Sequence, residues 1–328
     1  MSELTAVDEG LHTPDLSVYH WQENMLFHGW SRDFQDSFYL HLQHIPQSSE
    51  VEVRAAATVQ GTTVSMVRKE HGRNVLDVKG LEFVVDVPFE KHKLSFHSDA
   101  GALGTDDLGW LCSRTGDVSF GFEIDFVSRH VPLHFNPITS ALVPDDPTNT
   151  FHAHNHYEMG AEWSGRVDVA GQSASSRGLM WRDHTWGPRD FHSEGGFWTP
   201  MVFEGATRFV GGITKRYQGT WYEFAAEATG EGVNGVFDRY IVRTDVDKGQ
   251  VLHEALAVAL ADDDRRIFEV TTKRVVAAPR NWDVSGVPGY GLVDHVVQVT
   301  NGDSIGMGSF QVHPIATSDL VASTVDGV

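Results

Sequence analysis

The sequence predicts an all-β chain built as two antiparallel β domains, and three observations carry that prediction. Alternation with period 2 dominates: in "VSFGFEIDFVSR" the side chains of Phe120, Phe122, Ile124 and Phe126 share one face. Glycine is abundant, at 32 residues, and the apolar runs are short and bounded by Gly, Asp or Asn, as tight turns and bulges require. Near mid-chain the pattern is interrupted by "NPITSALVPDDPTNT", whose Pro, Asp, Asn and Thr read as a linker. The expected organisation is therefore a first β domain over 1–137, a linker over 138–150 and a second β domain over 151–328. Many strands at such short spacing make barrels or sandwiches.

The elements follow in order. "YHWQENMLFHGW" (Tyr19–Trp30) is rich in aromatic residues, which are read as core and rim packing of the first domain. "SFYLHLQHI" (Ser37–Ile45) alternates, with Phe38, Leu40 and Leu42 on one face. "VEVRAAATVQGTTVSMVRK" predicts a hairpin turning at Gly61, and "VLDVKGLEFVVDV" a turn at Gly80. In the second half, "AEWSGRVDVAGQ", "GFWTPMVFEG", "TRFVGGITKRY", "TWYEFAAEA", "GVFDRYIVRTDV" and "RRIFEVTTKRVV" are further strands. The Ala and Leu content of "LHEALAVALADDD" (Leu252–Asp264) allows a helix, but its alternation of alanine with larger residues favours a strand. "ADDDRR" (Ala261–Arg266) is read as a charged hairpin tip.

Composition limits the functions. With Lys+Arg 25 against Asp+Glu 45, the net charge of −20 repels nucleic acid and anionic membranes. The hydrophobic fraction of 41% over 328 residues is enough for a sizeable core. The single cysteine, Cys112, excludes an intramolecular disulfide and is read as a packed small residue in a reducing compartment. No basic-then-apolar leader and no apolar run near the ~18 residues of a membrane span are visible. A soluble, cytoplasmic protein without membrane insertion is expected. No G-x-G-x-x-G, Walker A or G-x-S-x-G pattern is present, so nucleotide-dependent and serine-hydrolase chemistry have no local support.

Two segments could carry chemistry. In "FHAHNHYEMG" an extended backbone puts His152, His154, His156 and Glu158 on one face, where they could act as acid and base or hold a metal. The spacing of His152, His154 and Glu158 resembles the first metal motif of cupins, but Asp146 replaces its leading glycine and the second motif is missing. The other segment is "LMWRDHTWGPRDFH" (Leu179–His192). Gly187 and Pro188 predict that its strand ends in a rigid turn. A break there would let Asp183, His184, Trp186 and Arg189 enter one pocket. Alternatively, Arg182 and Arg189 satisfy Asp183 and Asp190 in a buried ion-pair corner, with the tryptophans as core.

"SRGLMWRDHTWGPRDF", preceded by "HYEMGAEWSGRVDVAGQ", resembles the Gly-x-x-x-Arg-Asp-His-Ser-Trp-Gly-x-Arg signature of the two-domain lipocalin-like superfamily. That superfamily includes the carotenoid 1,2-hydratases (hydroxyneurosporene synthases), the attachment-locus proteins and uncharacterised bacterial members, which this signature is most similar to; some fungal pericyclases share the architecture. Thr185 stands where serine is commoner. The resemblance implies two lipocalin-like antiparallel barrels packed together, with a ligand cavity near their junction. The carotenoid hydratases carry a different acidic turn, so their reaction does not transfer directly.

These readings combine into an expected function: a cofactor-independent acid/base enzyme acting on a small hydrophobic substrate, terpenoid or aromatic. The reaction would be hydration or dehydration, isomerisation or cyclisation. Asp183, His184, Glu158 and His156 are the candidate catalytic residues. Trp186, Arg189, Tyr157 and Trp181 are the candidate substrate-binding residues, and no metal is assigned. The alternatives are a non-catalytic carrier of an apolar ligand, and a metal enzyme using His152, His154, His156 and Glu158.

Overall fold

A computed structural model describes residues 4–17, 21–104, 116–142, 155–188, 193–217, 219–237, 239–247, 250–261, 264–279 and 291–313. They form two large antiparallel sheets and a short helix, α1 (Asn136–Leu142). The first sheet contains β1 (Trp21–Ser31), β2 (Ser37–Ile45), β3 (Glu50–Val59), β4 (Thr62–His71), β5 (Leu81–Val87), β6 (Lys91–Leu103), β7 (Val118–Val127), β8 (Leu133–His134), β9 (Asn155–Val169) and β10 (Gln172–Pro188). Pairing runs β10-β1-β2-β3-β4-β6-β7-β9 and returns from β9 to β10, a ring that leaves none of these eight strands with a bare edge along its whole length. Two short strands sit outside the ring: β5 pairs with β6, and β8 with β9.

The alternation seen in the sequence fills this ring. Met25, Phe27, Phe38, Leu40, Leu42, Val51, Val53, Phe120, Phe122, Ile124, Phe126 and Trp163 all point inward and are buried. Gly29 has to be small, because a Cβ there would lie 2.5 Å from the Phe38 ring. The β3–β4 hairpin turns at Gln60 and Gly61, with φ of 49° and 79°, in agreement with the predicted turn. Gly80, with φ of 80°, precedes β5 instead of joining two strands. The hairpin of that segment lies between β5 and β6, after Val87.

The second sheet is built from β11 (Ser193–Phe203), β12 (Arg208–Tyr217), β13 (Thr220–Thr229), β14 (Gly232–Phe237), β15 (Arg239–Asp247), β16 (Gln250–Ala261), β17 (Asp264–Pro279), β18 (Gly291–Asn301) and β19 (Ser304–His313). Its order is β14-β13-β12-β11-β19-β18-β17-β16-β15. The ambiguous Ala/Leu segment is strand β16. The change of sheet falls between Pro188 and Ser193. The expected linker at 138–150 begins within α1 and leads into β9 of the same first sheet; residues 143–150 lie outside those described. The first ring needs both β9 and β10, so the hairpin carrying the Arg-Asp-His segment belongs to it and not to the second sheet.

The outer face of β1, β2 and β10 packs on the second sheet. Leu26, Trp30, Tyr39, Leu179 and Trp181 meet Trp198, Val202, Phe209, Ile213, Phe224 and Met307, with Leu133, Phe135 and Ile138 in the same cluster. Gly160 permits the approach: a Cβ there would stand 2.7 Å from Val202. Polar ties flank the apolar contact. Arg129 donates to Glu162 (2.6 Å) and to the Gly205 carbonyl (2.7 Å), and the Val131 amide donates to the Thr229 carbonyl (3.0 Å).

A candidate acid-base site between the two sheets

The β9–β10 hairpin turns at Ala170 and Gly171, with φ of 51° and 83°. From there its register sets Glu158 opposite Asp183, Tyr157 opposite His184 and His156 opposite Thr185. Side chains alternate, so two different sets result. His156, Glu158, Trp181, Asp183 and Thr185 face the second sheet. Tyr157, Arg182, His184 and Trp186 face the interior of the ring.

This corrects one expectation. The strand does not break between Asp183 and Pro188, and Asp183 and His184 do not share a pocket. β10 is paired on both sides, with β9 as far as Trp186 and with β1 as far as Pro188. Two unbroken ladders leave no unpaired residue for a bulge. Pro188 is tolerated because it is the last residue of the strand, and Gly187 supplies a φ of 105° without a side chain to clash.

On the outer face, the His156 Nε2 donates to Asp183 Oδ2 (2.9 Å) and lies 3.6 Å from Glu158 Oε1. The Trp198 indole donates to the same Glu158 oxygen at 2.6 Å. The Phe135 ring stacks on His156 at 4.6 Å, and the His156 amide donates to Asn136 Oδ1 at 2.8 Å, which fixes the start of β9. The side chains of His156 and Glu158 are each 1% exposed, whereas that of Asp183 is 21% exposed and connects the group to solvent. Glu158 Oε2, Trp181 Nε1 and Thr185 Oγ1 are buried on this face with no hydrogen-bond partner among the described residues. Buried polar atoms left in that condition are what a ligand or ordered water satisfies.

Burial pushes the Glu158 carboxyl up to about 7, with Asp183 adding to the rise and His156 and Trp198 opposing it. Burial also resists charge on His156, but the carboxylates of Asp183 and Glu158 outweigh it and raise the imidazole to about 9. Near neutral pH the arrangement is an imidazolium against Asp183, beside a carboxyl poised between its two protonation states.

The inner face is organised differently. His184 Nε2 and His12 Nδ1 approach Glu23 Oε1 at 3.1 and 2.9 Å, and the His12 ring stacks on Trp186 at 3.8 Å. Arg182 donates to Glu9 (2.5 Å), not to Asp183, and lies over the rings of Phe27, Phe83 and Tyr157. Burial opposes charge on Glu9, yet Arg182 and His92 hold it down at about 2. The ion pair anticipated between Arg182 and Asp183 therefore does not form, because the two side chains leave the strand on opposite faces. Burial raises the Tyr157 hydroxyl, so it stays protonated.

Of the residues singled out in the sequence, His156, Glu158, Asp183 and Trp181 lie on one face, and Tyr157, His184 and Trp186 on the other. Arg189, His152, His154 and Cys112 lie outside the described residues. Among the described residues, two sets could hold a metal, His156 with Glu158 and Asp183, and His12 with Glu23 and His184. Sequence reading missed Trp198, Phe135, Glu23, His12 and Glu9. Glu23 did leave a signal, a carboxylate within the aromatic-rich run Tyr19–Trp30. The other four sit in runs with nothing to distinguish them from packing residues or surface.

The model of a domain of unknown function, DUF7064, matches residues 5–315. The chain belongs to the DUF7064 family. No curated protein matches this DUF7064 chain in sequence. Among solved structures, it is similar to a candidate AttH protein of Nitrosomonas europaea, with a TM-score of 0.60 at 12% identity, covering 89% of this chain and 92% of that one. It is also similar to kievitone hydratase of Nectria haematococca (TM-score 0.55, 10% identity, 91% and 90% covered). A third is CghA in complex with Sch210972 (TM-score 0.51, 12% identity, 90% and 89% covered). At these identities the likeness is one of fold, and that fold is the all-β lipocalin-like one. Among the described residues no helix is long and apolar enough to cross a membrane.

Proposed function

We propose that this DUF7064 protein is an acid/base enzyme that adds or removes water at, isomerises or cyclises a small hydrophobic molecule bound between the two sheets. The observation that carries this reading is the buried Glu158 carboxyl. One of its oxygens accepts from Trp198, while the other is buried without a hydrogen-bond partner among the described residues. A carboxyl raised toward neutrality by burial is suited to give a proton and take it back. Glu158 protonates the substrate, and His156, 3.6 Å away, stabilises the carboxylate that results. Asp183 keeps His156 charged and, as the partly exposed member, accepts the proton of an attacking water. Trp181, Trp198 and Phe135 supply apolar walls. The proposed reaction requires no cofactor. The presence of a hydratase among the structural neighbours supports the reading. A terpenoid or aromatic substrate and a cytoplasmic setting belong to the same proposal.

The test is incubation of the protein in D2O with a panel of hydrophobic alkenes, enones and tertiary alcohols. Mass spectrometry then follows deuterium uptake and gain or loss of water. Glu158→Gln is expected to lower turnover by roughly 10²–10⁴-fold. Full activity in both Glu158→Gln and Asp183→Asn would sink the assignment.

A further inference from the structure

We propose that the inner face of the same strands holds a second site, at which His12, Glu23 and His184 bind one divalent transition metal ion. This lies beyond the acid/base reading and uses none of its residues. The three ligands come from three separate places in the chain: the segment before β1, β1 itself and β10. They nevertheless converge, with all donor atoms within 4.8 Å of one another. His12 Nδ1 and His184 Nε2 stand 2.9 and 3.1 Å from Glu23 Oε1. Ligand atoms about 2.0–2.2 Å from a tetrahedral zinc ion lie roughly 3.4 Å apart, so small adjustments would admit the ion. Two imidazoles and one carboxylate with a fourth position open form a known zinc-binding set, and imidazole favours transition metals over magnesium or calcium.

The hydrogen bonding of the metal-free site is awkward in a way that an ion would relieve. A single oxygen, Glu23 Oε1, accepts from His184, from the His12 ring and from the His12 amide at 3.2 Å. If His12 Nδ1 carries the donated proton, its Nε2 is a buried acceptor, and no donor meets it among the described residues. Metal on Nδ1 places the proton on Nε2 instead, where it points at Asp8 Oδ1, 3.8 Å away. His184 then has an outer partner in the Tyr157 hydroxyl, 3.4 Å from Nδ1, and the Asp8 carboxylate lies within ion-pair reach of His12. Such outer partners commonly orient metal-bound imidazoles. Charge points the same way. Glu23 is buried, its two side-chain partners are imidazoles, and the nearby guanidinium of Arg182 is taken up by Glu9.

The experiment uses the full chain, stripped by chelation and dialysed, then titrated with Zn²⁺ in competition with a chromophoric chelator. One equivalent per chain is expected, with affinity falling by about 10–100-fold or more in His12→Ala and His184→Ala. His156→Gln, on the opposite face, should bind as the parent does. Co²⁺ in place of Zn²⁺ should give a visible d–d spectrum that His12→Ala abolishes. Circular dichroism confirms folding of each variant. If His184→Ala does not fold, His12→Ala decides, because His12 precedes the first strand. The proposal is overturned if the parent chain takes up no stoichiometric ion, if His12→Ala binds with parental affinity, or if His156→Gln is the variant that loses the metal. Turnover plays no part in these readouts, so failure here leaves the acid/base reading standing, and the reverse also holds.

Discussion

Two groups on the outer face hold protons more tightly in the folded protein than in the unfolded chain. His156 rises from its usual 6.5 to about 9, so its contribution to stability is fully present below pH 6.5 and is lost as pH climbs to about 9. Glu158 rises from 4.5 to about 7, so its contribution is present below pH 4.5 and lost between 4.5 and about 7. Both therefore weaken the fold as pH rises. Thermal melts between pH 6.5 and 9 should show a falling Tm, reflecting a loss on the order of a few kcal/mol. In His156→Gln that slope should flatten; an unchanged slope would show that His156 is not the group titrating. Activity should decline on the alkaline side of about pH 7 as Glu158 loses its proton, which a pH–rate profile reads directly. At this scale part of the arrangement was legible. Period-2 spacing puts His156 and Glu158 on one face of their strand and Trp181 and Asp183 on one face of theirs, but only the ladder register sets Glu158 opposite Asp183. His184 was misplaced because a Gly-Pro pair reads the same whether it interrupts a strand or ends one. Trp198 comes from β11 and Phe135 from the residue between β8 and α1, and no local pattern ties them to Glu158.

The β9–β10 hairpin places consecutive residues in two separate compartments. It works only because the second sheet can approach closely at Gly160. Gly160→Val would force side-chain atoms into Val202 and Phe209, which would stand only 2.7 and 3.2 Å from a Cβ at this position. A loss of about 1–3 kcal/mol is expected from such overpacking, and urea unfolding would measure it. Turnover should fall as well, because Trp198 moves with the displaced sheet; unaltered stability would mean that the two faces are not in register at this point. Strand identity was readable from alternation, and so was the Gly61 turn. Which strands pair was not, since β10 finds β1 far back in the sequence and a strand's two edges leave no mark in its residues.

The two sheets depend on each other through apolar surface. A fragment of residues 1–188 contains all eight strands of the ring but would expose Leu26, Trp30, Tyr39, Leu179 and Trp181 to water. It should bind the dye ANS strongly and aggregate, whereas the full chain should not; a monomeric, ANS-silent fragment would show that the ring is self-sufficient. The sequence placed a linker at 138–150 because composition shifts there, but sheet membership follows pairing, and pairing continues to Pro188. That pairing also has a cost in time. On the ribosome, Trp21 is made first and its ladder partner Pro188 comes last. At ~5–20 residues per second, the open edge of β1 waits on the order of ten seconds or more before the strand that covers it even exists. Until then, buried polar and ionic groups such as Glu23 and His28 have no finished interior to occupy. The nascent chain therefore presents an unpaired β1 edge until the β9–β10 hairpin emerges.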